Sequence, residues 1–306
     1  MNIINPKVTV RMSAYNHEAY VEQAILSIMN QTFQDYELIV IDDGSSDRTP
    51  EILERLSREH GFSYERQENQ GVCRTLNKLI GMAKGEYLTG CASDDFWPPT
   101  RLEEQVAALD ANPDSALVHG IVVSVDIDGA GRPGTEFPFE RLADGCQAYM
   151  QLLRRKRDYF AGTIMVRKSV YEVVGGYDED IKVEDQDWIL RVTRQFRIKA
   201  CNCEWMYYRQ HGENWTATAL GISRILESER KVIVKQGLRY GAILLYSRLP
   251  VWFWFDIRVG SNRRFLYLIL LPLYLLNKNY LHNFLSVILG SSITQILKKR
   301  KKTMFS

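Results

Sequence analysis

Apolar, β-rich runs alternate with segments of helical spacing from residue 8 to residue 125, and this alternation constrains the fold more than any other feature. The strand-like runs are 8–12, 36–41, 62–66, 86–91 and 116–125. Between them, 20–30, 49–60, 72–83 and 101–111 read as helices, with Val21, Ala24, Ile25 and Ile28 on one face of the first. Strands separated by helices of this length predict an α/β fold with a mostly parallel, doubly wound, Rossmann-like sheet flanked by helices. Ligands in such sheets bind at the carboxyl ends of the strands. The loops after the second and fourth runs are therefore where chemistry is expected. Residues 126–140, rich in Gly, Pro and Asp, read as a surface loop or the boundary to a second half. A strand over 162–167 and a helix over 185–195 follow.

Acidic clusters punctuate this pattern. Asp42-Asp43-Gly44-Ser45-Ser46-Asp47 ends the second run, and its carboxylates can accept hydrogen bonds from a base or ribose. Asp94-Asp95 ends the fourth, where adjacent carboxylates suit a hard cation such as Mg²⁺ or Mn²⁺. Glu184-Asp185-Gln186-Asp187 precedes a helix, where a carboxylate among other acids can serve as a general base. Taken singly, each cluster is equally a turn or a helix cap, because Asp and Ser cap helices and acidic residues favour the first helical turn. The net charge of +2 gives no reason to expect a nucleic-acid partner. The five cysteines form no zinc-ligand spacing, which predicts a reducing compartment.

The clusters gain weight from their order among other landmarks. Val8-Thr9-Val10 leads to Tyr15-Asn16, and Gln31-Thr32-Phe33 leads to the Asp42-Asp43-Gly44-Ser45 turn. Asn69-Gln70-Gly71, Asn77, Ala83-Lys84-Gly85-Glu86-Tyr87, Ser93-Asp94-Asp95, Arg101-Leu102, Gly175-Gly176-Tyr177, Glu184-Asp185 and Tyr208-Arg209-Gln210-His211 follow. From about residue 6 to residue 215 this series resembles glycosyltransferase family 2, in its bacterial cell-surface polysaccharide branch. The resemblance implies a GT-A fold and an inverting glycosyltransferase that moves a hexosyl or N-acetylhexosaminyl unit from a nucleotide-sugar donor, UDP-sugar first. The acceptor is a glycan or a polyprenyl-linked saccharide. It implies a catalytic domain over 1–215, with a nucleotide-binding half over 1–125 and an acceptor half over 126–215.

The resemblance also implies residue roles. Ser13, Tyr15 and Asn16 line the nucleotide, with Gly71 and Asn77 in the same site. Asp43 holds the base through its ring N–H, and Asp42 supports the loop. Asp95 binds Mn²⁺ or Mg²⁺, and Asp94 contacts the ribose or sugar, or supports the metal shell through water. Asp185 is the catalytic base, with Glu184 orienting the acceptor. Arg209 and His211 lie near the diphosphate, although His211 is equally a loop histidine. Trp97 is a candidate stacking platform for the acceptor, with Gly162 nearby, whereas Trp188 reads as core. Two departures from the family pattern stand out. Ala92 occupies the position where many members carry the leading carboxylate of the metal motif, and fewer charged ligands weaken a hard-cation site. The first strand lacks the proline frequent before Tyr-Asn, so a local change in backbone is expected there. Two rival readings exist. A sugar nucleotidyltransferase wants a glycine-rich basic loop after the first strand, which Ser13-Ala14-Tyr15-Asn16-His17 is not. A non-catalytic membrane-associated scaffold would not need Asp43, Asp95 and Asp185.

Beyond residue 216 the character changes to a helical, amphipathic region over 216–306. The apolar stretch 265–276 is about twelve residues long, short of the roughly twenty a spanning helix needs. Trp252, Phe253, Trp254 and Phe255 form an aromatic cluster of the interfacial kind, and Lys298-Lys299-Arg300-Lys301-Lys302 is polybasic. Such a patch contributes about 1 kcal/mol per charge beside anionic lipid. This predicts an in-plane anchor on the cytosolic face of the inner membrane. A helical bundle packed on the catalytic domain or on a second subunit, and a re-entrant hairpin over 265–297, are the alternatives. The first residues lack a basic and then apolar leader, which predicts cytoplasmic residence. Deleting 264–306 is expected to move the protein from the membrane fraction to the soluble fraction on sedimentation; retention in the membrane fraction would place the anchor elsewhere.

Overall fold

The computed structural model describes residues 5–131, 148–154, 159–181, 185–212, 214 and 218–237. β1 (Val8–Ala14), β2 (Tyr36–Asp42), β3 (Ser63–Arg66), β4 (Tyr87–Gly90), β5 (Ser115–Val125), β6 (Met165–Arg167) and β7 (Arg197–Arg209) form one seven-stranded sheet in the order β3-β2-β1-β4-β6-β5-β7. β1 pairs in parallel with β2 and β4, and β2 with β3. β6 runs antiparallel to both β4 and β5, and β5 is parallel to β7. The mostly parallel α/β sheet expected from the sequence is thus present, with one short reversed strand joining its two halves.

α1 (Val21–Met29), α2 (Thr49–His60), α3 (Val72–Met82) and α4 (Arg101–Asp110) alternate with the strands. Burial explains the alternation. Val8, Val10, Met12 and Ala14 point to one face of β1 and pack in one cluster with Val21, Ala24, Ile25 and Ile28 of α1 and Leu102, Val106 and Leu109 of α4. α2 carries Pro50 in its first turn and ends at Gly61, whose φ of 77° suits a left-handed cap. A second cluster is built on α5 (Ala148–Leu153), α6 (Lys168–Val174) and α7 (Asp185–Gln195), which meet Leu88, Leu117 and Val166. Trp188 is buried there and stacks on Tyr171, in agreement with its reading as core.

Two buried arginines pin the sheet. Arg11, in central strand β1, donates to the hydroxyls of Tyr171 and Tyr177 at 3.1 and 2.7 Å. Arg101 donates to the carbonyls of Trp205 and Gly162 and to Thr89 Oγ1, and its guanidinium lies 3.7 Å from the centre of the Trp97 ring. Burial lowers the Arg101 pKa to about 9, so the group stays charged at neutral pH.

The structure differs from the sequence reading in three places. β7 spans 13 residues and no run was expected there. It lies at the edge of the sheet, is interrupted by Arg197, Lys199, Asn202 and Glu204, and shifts register against β5, so it lacks a clean alternation. The strand expected over 162–167 begins as a 3₁₀ turn, Ala161–Thr163, and only its last three residues pair. The first strand runs past the expected 8–12, with Ser13 and Ala14 in register with Ile41 and Asp42. α8 (Ala219–Lys235) packs back onto this body, with Lys235 paired to Asp178 and Asp187 and Val232 buried in the second cluster. Among the described residues no helix is long and apolar enough to cross a membrane. The expected anchor lies outside the described residues, as does Glu184.

Gly85 lies where the turn before β4 crosses β1. A Cβ there would stand 2.4 Å from the backbone nitrogen of Thr9, while the Gly85 N–H donates to Thr9 Oγ1. Gly85→Ala is expected to destabilise the fold by about 1–3 kcal/mol through overpacking. Urea unfolding checks this; an unchanged midpoint would mean that the turn can move.

Candidate active site

The carboxyl ends of β1, β2, β4 and β7 converge, and the polar residues of four loops meet there. In the β2 loop, Asp42 is fully buried and accepts from the Ser45 hydroxyl and amide, with Arg66 beside it. This is the loop support expected of it. Asp43 accepts from Gln67 Nε2 at 2.8 Å and from the amides of Gln70 and Gly71 at 2.9 Å each. Those amides lead into α3, where backbone N–H groups and the helix dipole favour an anion. Gly71 itself takes a φ of 88°. Three donors leave about one of a carboxylate's four acceptor sites for a ligand.

The β1 loop docks against this turn. Asn16, with a φ of 54°, donates its N–H to Ser45 Oγ and accepts from the Ser46 amide. Tyr15 is 48% exposed at the rim. Ser13 is the penultimate residue of β1, and its carbonyl accepts from Ser93 Oγ at 3.5 Å. The Asn77 side-chain carbonyl accepts from the Tyr177 N–H at 2.7 Å and its amide donates to the Tyr177 carbonyl, so it clamps the Gly176–Tyr177 backbone.

The β4 loop separates its two carboxylates. Asp95 is 3% exposed, and its Oδ1 accepts the Arg209 N–H at 2.9 Å. Burial, followed by the charge of Asp94, pushes its pKa well above the usual carboxylate range. Asp94 is half-buried, which works against its charge, but hydrogen bonding to His211 and the proximity of His17 outweigh this and lower its pKa. Its Oδ2 lies 3.1 Å from His211 Nε2 and 3.8 Å from His17 Nε2. The three side chains offer ligand atoms within 4.8 Å of one another, the one grouping among the described residues that could hold a metal. The resemblance implies a metal at Asp95; in this geometry Asp95 Oδ1 meets the Arg209 backbone and Asp94 faces the histidines.

Arg209 and Trp97 also differ from expectation. Arg209 is buried between the rings of Tyr20 and Phe96 and donates to the carbonyls of Asp94 and Ile127 and to Gln23 Oε1. Its charge braces the Asp94–Asp95 turn and is not presented to a diphosphate. Trp97 is 3% exposed within the first core cluster, so it is no platform for a sugar. Gly162 is half-buried; its carbonyl accepts from Arg101, and a Cβ would meet Met206 Sδ at 2.3 Å. Asp185 opens α7 and is half-buried, while Asp187, two residues on, is buried against Arg191. His17 is the site residue missed from the sequence. The signal was there: a histidine just beyond the first strand in a chain whose metal motif lacks its leading carboxylate.

Comparison with known proteins places this geometry in context. The sequence profile described as Glycosyl transferase family 2 matches residues 9–175, more than half of the chain. An uncharacterized glycosyltransferase of Rickettsia typhi is 36% identical over 226 residues, covering 72% of this chain and 69% of that protein. An uncharacterized glycosyltransferase of Haemophilus influenzae, the putative glycosyltransferase EpsH of Bacillus subtilis and the hyaluronan synthase of Pasteurella multocida match over 126, 102 and 248 residues, and the chain spans half or less of the length of each. Residues 1–349 of S. aureus TarS, in complex with UDP-GlcNAc, superpose with a TM-score of 0.61 at 21% identity, covering 79% of this chain and 71% of that one. The mannosyltransferase PcManGT of Pyrobaculum calidifontis, in complex with GDP-Man and Mn²⁺, superposes with a TM-score of 0.60 at 17% identity, covering 91% and 83%. At these identities the structural likeness speaks to the fold alone.

The Asp95–Arg209 contact gives a direct test of the division of labour in the β4 loop. Asp95→Asn keeps an oxygen acceptor for the Arg209 N–H and is expected to unfold close to wild type. Asp95→Leu leaves that amide unpaired and is expected to lose about 1–3 kcal/mol. Thermal unfolding separates the two; equal losses would show that the carboxylate charge matters more than the hydrogen bond.

Proposed function

Because the chain belongs to glycosyl transferase family 2, we propose that it is an inverting, metal-dependent glycosyltransferase acting on a nucleotide-sugar donor. The donor in this reading is a UDP-sugar, and the acceptor is a glycan or polyprenyl-linked oligosaccharide presented at the cytosolic membrane face. The observation that carries the reading is the meeting of the Asp43 turn and the Asp94–His211–His17 group at the carboxyl ends of the strands. The nucleotide-sugar complexes of TarS and PcManGT support the donor class, and the Mn²⁺ in PcManGT supports a divalent cation.

In this account the open acceptor site on Asp43 takes a ring N–H of the base, and Ser13, Tyr15, Asn16 and Gly71 line the nucleotide. The donor set suits a divalent metal: one charged carboxylate and two imidazoles lie within reach of a single ion, and His211 Nδ1, buried, has no hydrogen-bond partner among the described residues. Asp94 and His211 would hold it, with Mn²⁺ or Mg²⁺ as the ion. The ion, when bound, neutralises the charge that grows on the departing diphosphate. Asp185 takes the proton of the acceptor hydroxyl. The acceptor oxygen bonds to the anomeric carbon from the face opposite the diphosphate, the bond from that carbon to the diphosphate oxygen breaks, and configuration inverts without a covalent intermediate. We place the catalytic unit in residues 1–215 and the membrane contact in the C-terminal region.

Asp185→Asn removes the base and leaves the nucleotide site intact. It is expected to bind donor by calorimetry within about a factor of three of wild type and to lose transfer by about 10²–10⁴-fold. Turnover comparable to wild type would refute the assignment of the base.

A further inference from the structure

The family's metal motif is short by one carboxylate in this chain, and the fold brings a different donor to the same place. Ala92 has no ligand atom, but His17, on the loop between β1 and α1, reaches the β4 loop. Several contacts hold it. The His17 N–H donates to Thr49 Oγ1 at 2.9 Å, and its carbonyl accepts from the amides of Tyr20 and Val21 at the start of α1. Its Nδ1 lies 2.7 Å from Ser93 Oγ. With Nδ1 engaged on that serine, Nε2 is the nitrogen turned towards Asp94 Oδ2, 3.8 Å away. A hydrogen bond on one ring nitrogen that orients the other towards a ligand site is a recurring arrangement at metal-bound histidines.

The second imidazole comes from the far side of the site. His211 follows β7, its amide accepted by Asn214 Oδ1 and its ring set against Tyr20. Its Nε2 lies 3.1 Å from the same Asp94 oxygen. Ligand atoms on neighbouring corners of one octahedral ion with bonds of about 2.1 Å stand about 3 Å apart. The separations of 3.1 and 3.8 Å lie within what one ion could gather after a small adjustment of the His17 ring. Imidazole nitrogen is also a poorer ligand for Mg²⁺ than for the first-row transition ions.

We infer that His17 is a metal ligand, standing in with Asp94 and His211 for the carboxylate that Ala92 lacks, and that this donor set selects Mn²⁺ over Mg²⁺. The inference rests on the proposed role of Asp94 and adds to it the ligand that completes the site and the ion that it prefers.

Mn²⁺ binding to the full chain with UDP present, followed by electron paramagnetic resonance, tests it without reliance on turnover. Wild type is expected to bind Mn²⁺ more tightly than Mg²⁺ in competition, with electron spin-echo modulation from two imidazole nitrogens. Asp94→Asn is expected to abolish binding. His17→Ala is expected to weaken Mn²⁺ by at least about tenfold and to leave one coupled nitrogen. His17→Asp, which supplies a carboxylate, is expected to recover affinity and to shift the preference towards Mg²⁺. If Asp94→Asn loses the ion while His17→Ala keeps both its affinity and two coupled nitrogens, His17 is no ligand and the proposed role of Asp94 survives. If Asp94→Asn binds as wild type does, or wild type binds no Mn²⁺, both the inference and the metal role beneath it fall.

Discussion

The bond between the Arg209 N–H and Asp95 is the contact on which the rest of the site depends. It joins the end of β7 to the loop after β4, two strands separated in the sheet by β6 and β5. The Arg209 side chain adds a second tie by donating to the Asp94 carbonyl. With Asp95 turned inwards onto this bond, its neighbour Asp94 turns outwards. Adjacent residues in an extended or turning loop rarely face the same way, so fixing one carboxylate fixes the other. The same tie sets down His211, two residues past Arg209, beside Asp94. A buried guanidinium is costly unless its donors are paired, and here Nε, Nη1 and Nη2 each meet an oxygen.

Electrostatics then separates two residues of identical chemistry. Both carboxyls are removed from water, which penalises charge in each. Asp94 has two imidazoles nearby and stays on the acidic side of its usual range; Asp95 has a backbone amide and a like charge and moves the other way. A carboxylate flanked by two imidazoles at the mouth of a parallel sheet would suit a cation that offsets the charge of a diphosphate. The Asp43 turn, a few residues away across β1 and β2, supplies a different environment. Its carboxylate takes three N–H donors and no imidazole, and its remaining acceptor site suits recognition of a base edge.

Much of this was legible in the sequence. The five runs between residues 8 and 125 and their intervening helices follow from apolar spacing, because both faces of a parallel sheet are buried and each helix needs one apolar face. β7 was not legible, since an edge strand with charged residues and shifted register carries no period. The site residues divide in the same way. Asp43 and Asp94 lie in the loops that follow β2 and β4, where position alone marks them. Whether Asp94 or Asp95 faces outwards depends on Arg209, more than a hundred residues on, and no local pattern encodes that. Trp97 beside two prolines looked like a loop aromatic, but Arg101 one turn later draws it into the core. His17 escaped notice because its partners, Ser93 and Asp94, are distant in sequence and close only once β1 and β4 pair.

The central claim is that Asp94, and not Asp95, meets the cation and through it the nucleotide. Crystals grown with Mn²⁺ and UDP and measured at the manganese absorption edge test it most directly. The account predicts one anomalous peak within bonding distance of the Asp94 carboxylate, with the UDP diphosphate on its open side and Asp95 still bound to the Arg209 amide. A peak coordinated by Asp95, or UDP bound at the strand ends with no manganese beside Asp94, would contradict it.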